Sequence, residues 1–521
     1  MGDLLEELLK ERGPCLSTQL TACLITEHGL TAEAARKRVS RGRPNLKRLA
    51  FLPFPHKARF LYLQEQYRSS EYWKALKQAI SSSKSAYSPA LASLLQRNGI
   101  MPKAHFEIAC GAPLRQKKHL SPETILTRLK QANVVDEIDV PGLGPCIAYA
   151  EYSDHLERVS PLKARLISEN ILLKAIRMWV RNLGMVSFDK VLMRDEGETI
   201  PKVGTFVWDL TGPSYLAPMV QWGKGEKPAP GFIACDVLLG SVVTEDGLAP
   251  FIHKCVTLRN LKNVGRCLPV FVAESYTKEA FMKAKGVGVV PATPESLFGT
   301  EVAEGLAQLT QVLTTAARAS IKPEVFDEMF KRLGKIEGAA TNLRGALFEY
   351  LVAELVRQTI STNVILNKIF KDESGKEAAE VDVLAVAGKR DVYFIECKGY
   401  QPAGTIKDDD VERWLTKRIP LIRRQALDHP EWKNMNMHFE FWTTGKLTEA
   451  AEARIQAVKT KTVKYFVDYR VASGILDYAL TTKDTGLITT LNQHFLEHPL
   501  AKVELEAKLR AEKLERGVAT V

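Results

Sequence analysis

Residues 381–399, VDVLAVAGKRDVYFIECKG, are two alternating apolar runs joined by Gly-Lys-Arg-Asp, and no other stretch constrains the chain as tightly. Strand-forming residues on either side of a short turn predict an antiparallel hairpin with its connection at 387–391. The period of two places Glu396 and Lys398 on one face of the second strand and turns Ile395 and Cys397 to the other. Asp382 lies in the partner strand and comes beside Glu396 on the same face. Val381, Val383, Phe394, Ile395 and Cys397 predict a central strand, so two carboxylates and an ammonium are expected where water is scarce.

Two adjacent carboxylates repel, and burial raises the cost, so such a pair calls for a compensating cation. Hard oxygen donors suit Mg²⁺, with Mn²⁺ as a substitute; such an ion keeps several waters, accepts substrate phosphate and can polarise a phosphodiester. Lys398 is then expected to position the attacking water or to stabilise charge growing on the phosphate. The ordinary alternative is a cross-strand charge pair on a solvated face, which contributes little.

These residues resemble the PD-(D/E)XK, or restriction-endonuclease-like, superfamily of nucleases. The matching parts are Glu349 in RGALFEYLVAEL, Asp382 in EVDVLAV and Glu396-Cys397-Lys398 in FIECKG, followed after Asp408 by the family's helix, strand, helix, strand order. The resemblance covers residues 340–470. An E-x-K triplet alone is uninformative, since Glu431-Trp432-Lys433 and Glu506-Ala507-Lys508 also occur; the strand context distinguishes the Glu396 copy. The resemblance implies Mg²⁺-dependent cleavage of a phosphodiester, typically in DNA. Asp382 and Glu396 would be metal ligands, the Cys397 backbone carbonyl would complete the metal site, and Glu349 would be a metal-linked residue. For Glu349 the alternative is an ordinary solvated helix glutamate. In the later helix, RWLTKRIPLIRRQALDHPEW, the residues on offer are Lys417, Arg418, Arg423, Arg424 and Gln425, with Lys417, Arg424 and Gln425 taken as the candidates near the site.

The N-terminal part carries a different signal. Residues 2–12, 17–28 and 31–41 have apolar positions at helical spacing with Gly13, Gly29 and Gly42 at their ends, and LAFLPFP and ARFLYL follow as a hairpin. This order resembles a winged helix. Its third helix and exit carry Arg36, Lys37, Arg38, Arg41, Arg43, Lys47 and Arg48 against Glu33, a density suited to DNA phosphate; a solvated basic face is the alternative. A second block repeats the order more weakly, with Ser121 and Pro122 opening its third helix and VDEIDVPGLGPCIAYAE as the hairpin.

From about residue 160 a helix at 161–182 leads into the strand-like runs GMVSFDKVLM, GTFVWDLTG, GFIACDVLLG and LPVFVAES. The same order returns after 340, which predicts a degenerate internal duplication. Asp209 would take the Asp382 place, with Ala234, Cys235 and Asp236 standing where E-x-K belongs and no lysine following. The first block is therefore expected to lack the chemistry.

The expected architecture is multidomain: a winged helix (1–70), a second winged-helix-like module (71–155), a degenerate nuclease-like α/β domain (156–300), a helical connector (301–340), the PD-(D/E)XK domain (341–480) and a helical tail (481–521). A formal charge of +11 favours a polyanionic partner, double-stranded DNA first. No apolar run is long enough for a membrane span and the opening is unlike a secretory signal, so a cytoplasmic chain is expected. The eight cysteines show no CxxC or zinc spacing and are expected to be reduced and mostly buried. The resulting expectation is a DNA endonuclease, with restriction or anti-phage defence as a setting by analogy. There is no P-loop or methyltransferase motif, so modification or motor functions would belong to partner subunits. Many members of that superfamily cut as dimers, so a homodimer is one further expectation; VELEAKLRAEKLERG is expected as a solvated terminal helix, with a dimer contact as its alternative. A non-catalytic DNA-binding regulator or scaffold is the alternative function.

Overall fold

Glycines and caps delimit the first elements. α1 (Leu4–Arg12) stops at Gly13, whose φ of 78° suits a residue without a Cβ. In the computed structural model the described residues are 4–41, 43–83, 85–152, 156–197, 199–217, 219–220, 229–261, 264–315, 324–334, 336, 339–372, 377–400 and 404–496. The helix expected within 503–517 lies outside them. The chain divides into two compact units, one of Met1–Ile138, Pro145–Arg158 and Val180–Thr293, the other of Asp139–Gly144, Val159–Trp179 and Pro294–Val521.

In the first unit, β1 (Cys15–Leu16), α2 (Ser17–Thr26), α3 (Ala32–Ser40), β2 (Leu46–Arg48) and β3 (Phe60–Leu63) follow α1, and the strands form an antiparallel sheet in the order β1-β3-β2. Leu5, Leu9, Leu24 and Leu61 fill the core beneath it. The hairpin's first strand is Leu46–Arg48, not the LAFLPFP run expected from the sequence. Pro53 and Pro55 cannot donate to a ladder and Phe51 has a left-handed backbone (φ 67°), so that run is a loop that buries Leu52 and Phe54. After α4 (Ser70–Ser82) the order repeats as α5 (Tyr87–Gln96), β4 (Ile100–Pro102), α6 (Lys103–Ala109), α7 (Pro122–Gln131), β5 (Val135–Val140) and β6 (Gly144–Tyr149), with sheet order β4-β6-β5. Ser121 caps α7 by accepting the Thr124 N–H at 3.2 Å.

α8 (Leu156–Asn182) begins earlier than expected and contains Pro161. There the proline removes a single bond near the helix start, which a helix of this length tolerates. Of GMVSFDKVLM only β7 (Leu192–Met193) pairs as a strand, Phe188 being exposed and outside the ladder. Then come β8 (Lys202–Val203), β9 (Phe206–Val207), β10 (Leu210–Ser214), β11 (Gly231–Val243), α9 (Glu245–Arg259), β12 (Cys267–Tyr276), α10 (Lys278–Gly286) and β13 (Val290–Ala292). The five-stranded sheet runs β13-β12-β11-β10-β7; β7, β10 and β11 pair antiparallel, whereas β11, β12 and β13 pair parallel through the crossovers α9 and α10.

The second unit contains α11 (Pro294–Phe298), α12 (Thr300–Thr315), α13 (Glu324–Leu333), α14 (Ala339–Thr359), β14 (Val364–Lys371), β15 (Ala378–Ala387), β16 (Asp391–Lys398), α15 (Asp408–Arg413), α16 (Ile419–Asp428), β17 (Asn436–Thr443), α17 (Glu449–Lys461) and β18 (Phe466–Arg470), with α18 (Ala472–Thr482) and α19 (Thr485–Leu491) closing it. Its sheet order is β14-β15-β16-β17-β18, antiparallel across the first three strands and parallel across the last three. Strand order and direction therefore match the first sheet, β7, β10, β11, β12 and β13 corresponding to β14 through β18 in turn. Phe394, Phe439, Trp414 and Ile422 lie in the core between this sheet and its crossover helices. All eight cysteines are free and six are buried; among the described residues no helix is long and apolar enough to cross a membrane.

Candidate active site

β15 and β16 pair with Val383 opposite Ile395, so the next step of the ladder brings Asp382 and Glu396 side by side. Both are buried, at 6% and 4% exposure. Asp382 Oδ2 accepts the Cys397 N–H at 2.7 Å, which fixes the carboxylate against the partner strand. Lys398 Nζ donates to Glu396 Oε1 at 2.6 Å. The glycine that ends FIECKG is a packing requirement, since a Cβ at Gly399 would lie 2.4 Å from the Arg344 carbonyl of α14. Opposite Asp382, Asn367 of β14 holds a left-handed backbone (φ 54°), an irregularity of a kind that clusters at functional sites.

Four further side chains join this cluster. Glu349 of α14 is half-buried as a residue, but its carboxyl end is withdrawn from water. Burial first, then the Asp382 and Glu380 carboxylates, push that carboxyl well above its ordinary range, with Lys163 and Lys398 opposing. Glu380, two residues before Asp382 and so on the same face, is held by Lys163 of α8, whose Nζ lies 2.5 Å from each carboxylate oxygen. Arg418 donates through Nη1 to both oxygens of Glu396. Neither Glu380 nor Lys163 belongs to the sequence pattern that marks Asp382, Glu396 and Lys398. The only signal for Glu380 was its i, i+2 spacing to Asp382, and none marked Lys163, which lies 217 residues away. Of the basic and amide residues of this helix, Arg418 reaches Glu396; Lys417 and Arg424 are exposed, Gln425 is half-buried, and Arg423 lies over the Tyr465 ring at 5.3 Å. The side chains within 417–425 diverge around the helix, and the π turn at Trp414–Arg418 shifts their faces from those that regular helical periodicity gives.

The electrostatics follow from this crowding. Burial, then Glu396, pushes the Asp382 carboxyl up to about 7. For Lys398 burial alone favours the neutral amine, but the Glu396 and Asp382 carboxylates outweigh it and the ammonium is held. Burial raises the Cys397 thiol well above its usual range, so this cysteine offers a carbonyl and not a thiolate. Four carboxylates (Glu349, Glu380, Asp382, Glu396) meet three cations (Lys163, Lys398, Arg418), an excess of one negative charge when all are ionised. A set of hard oxygens with surplus negative charge fits a divalent cation.

A pH dependence follows. The folded-state pKa of Asp382, about 7, lies above its free value of 3.8, so this group favours folding most below about pH 4 and loses that contribution as pH rises through 7. In metal-free buffer the stability of wild type relative to Asp382→Asn should fall between pH 4 and 7 and level off above; denaturant midpoints across pH measure it, and a constant difference would contradict the assignment.

The first block has the same frame with different contents. Asp209 Oδ2 accepts the Val237 N–H at 2.7 Å, as Asp382 does from Cys397. The register, Leu210 opposite Cys235, places Asp209 beside Asp236. Asp236, Val237 and Leu238 therefore correspond to Glu396, Cys397 and Lys398, a correction by two residues to the alignment expected from the sequence. Leu238 stands in the lysine place, and an ammonium comes instead from Lys254 of α9, whose Nζ lies 2.5 Å from Asp236 Oδ2. Arg194 Nη1 pairs with Asp209 Oδ1 at 2.8 Å. Asp209, Asp236 and Lys254 are at most 2% exposed, so these charges are neutralised internally. Burial, outweighing Lys254, pushes Asp236 up to about 6.

In the N-terminal basic segment, Arg36, Lys37 and Arg41 are exposed, while Arg38, Arg43 and Lys47 are half-buried. Arg48 Nη2 donates to the carbonyls of Val39, Ser40 and Arg41 at 3.0, 2.7 and 3.2 Å, closing the C-terminus of α3. Its guanidinium thus has a structural task that the charge count could not show.

No family model and no curated protein matches the chain. Among solved structures it is similar to the structure of restriction endonuclease FokI, at 12% sequence identity and a TM-score of 0.20, over 89% of this chain and 80% of that chain. A likeness that loose carries no functional weight, and the side-chain geometry carries it instead.

Proposed function

We propose that the chain is a Mg²⁺-dependent DNA endonuclease whose phosphodiester hydrolysis takes place at the Asp382–Glu396–Lys398 cluster in a restriction-endonuclease-like domain. The observation that carries this reading is the meeting of Asp382, Glu396 and Lys398 with Glu349 and Glu380 on neighbouring strands and a flanking helix. Asp382 and Glu396 would hold the cation with the Cys397 carbonyl, and when bound it would polarise the phosphodiester and supply positive charge at the reacting phosphate. Lys398, kept protonated by its neighbours, would orient the attacking water or stabilise charge on the phosphate. Lys163 would hold Glu380 in place. Mn²⁺ suits the same donors.

The N-terminal order of helix, strand, two helices and two strands resembles a winged helix, and on that likeness we read α3 as a DNA-facing helix, with Arg36, Lys37 and Arg41 on phosphates. Each of Arg36→Ala, Lys37→Ala and Arg41→Ala should lower the slope of log affinity against log salt by roughly 0.9. Fluorescence anisotropy on duplex DNA checks this, and unchanged slopes in all three would remove the segment from the interface. The alternative, a non-catalytic DNA-binding scaffold, draws on the first block, whose equivalent acids are neutralised within the fold. Supercoiled plasmid incubated with Mg²⁺ or EDTA separates the two: nicked or linear product that requires the metal supports the nuclease.

A further inference from the structure

The crossover after the acid-bearing strand carries a cation onto that acid in both blocks. In the first, Lys254 is 1% exposed and also donates to the carbonyls of Ile108 and Val207 at 3.1 and 3.0 Å, so all three of its donors are engaged inside the fold. In the second, the Arg418 side chain is 23% exposed. It holds Glu396 through Nη1 alone, and among the described residues its other guanidinium nitrogens have no partner. The first pair is closed on every side; the second has a wet edge and spare donors.

Local sequence explains how Arg418 gets there. Pro420 has no N–H to return to the carbonyl four residues earlier, and its ring crowds that carbonyl. The chain widens into a π turn at Trp414–Arg418, closed by the Ile419 N–H on the Trp414 carbonyl. Arg418 is the last residue of that turn.

We propose that Arg418 is a phosphate-binding residue that exchanges Glu396 for the scissile phosphate, a reading that rests on the nuclease assignment. The guanidinium fork fits a carboxylate and a phosphate with the same two-pronged geometry. On Glu396 it competes with a divalent cation for the same oxygens. When a cation takes those oxygens the guanidinium loses its anion, and the nearest replacement is the DNA phosphate brought to the cluster. Cation loading and phosphate gripping are thereby coupled through one side chain.

The test has two readouts with opposite signs. Without DNA, calorimetric titration of the full chain with Mn²⁺ should show tighter binding in Arg418→Ala, by about tenfold. At saturating Mn²⁺, single-turnover cleavage of duplex DNA by the same variant should be slower by about a hundredfold. Arg418→Gln, which keeps a donor toward Glu396 without the charge, should move in the same directions. Lys163→Met removes an equal charge from Glu380 and should change Mn²⁺ affinity less than Arg418→Ala does. Mn²⁺ binding that is unchanged or weaker in both Arg418 variants would overturn the competition, and undiminished cleavage would overturn the phosphate contact. A wild type that binds Mn²⁺ but cuts no DNA would instead overturn the nuclease reading and, with it, the phosphate half of the proposal; the titration would still judge the competition.

Discussion

Asp382→Asn is expected to slow Mg²⁺-dependent cleavage by at least about a hundred- to a thousandfold and, in metal-free buffer at neutral pH, to raise the melting temperature. The two effects have one cause. Asp382 lies buried beside Glu396, and burial with that neighbouring carboxylate pushes its carboxyl up to about 7, so ionising it costs the fold free energy that a bound cation would offset. Asparagine keeps an oxygen to accept the Cys397 N–H and removes the charge. The gain should be on the order of 1–4 kcal/mol at pH 8, or about 2–4 °C per kcal/mol for a domain of this size. Calorimetry with and without Mg²⁺ is the check: Mg²⁺ should stabilise wild type and leave the variant unmoved. A variant less stable than wild type in metal-free buffer would mean that the Asp382 charge is already well compensated.

The second large effect belongs to the first block. Lys254→Met should destabilise the protein by about 3–5 kcal/mol, the usual cost of removing one member of a buried ion pair. Lys254 has the Asp236 carboxylate and two carbonyls as acceptors and lies 4.2 Å from the centre of the Trp208 ring, so methionine replaces its bulk and none of its donors. Adding Asp236→Leu should restore part of the loss, because a neutral pair leaves no unpaired charge. Thermal denaturation of wild type, single and double variants measures this; a Lys254→Met protein as stable as wild type would show that Asp236 is neutral without its partner.

The hairpin 381–399 was legible because period-two alternation fixes faces, and Asp382, Glu396 and Lys398 needed nothing beyond that periodicity and a short turn. The repeated strand order was legible for a related reason: most strands of each block are short apolar runs between polar or turn-forming residues. What the sequence hid was set by tertiary packing. Lys163 reaches Glu380 from a helix far away in the chain, and no local pattern marks such a contact. Lys254 substitutes for an E-x-K lysine from a different element, so searching two positions past the acid finds only Leu238. Arg418 was visible among its basic neighbours, but its selection depends on a π turn next to Pro420, which helical periodicity does not anticipate. The apolar character of Leu52 and Phe54 reports burial, not extension, and so imitates a strand in a segment that folds as a loop.

The most direct measurement is cleavage of supercoiled plasmid in Mg²⁺ by wild type and Lys398→Met at matched concentration, each with an EDTA control. The expected result is metal-dependent nicking or linearisation by wild type and none by Lys398→Met above the EDTA background. Equal product from both proteins, or no product from wild type with Mg²⁺ or Mn²⁺, would contradict the assignment of catalysis to this cluster.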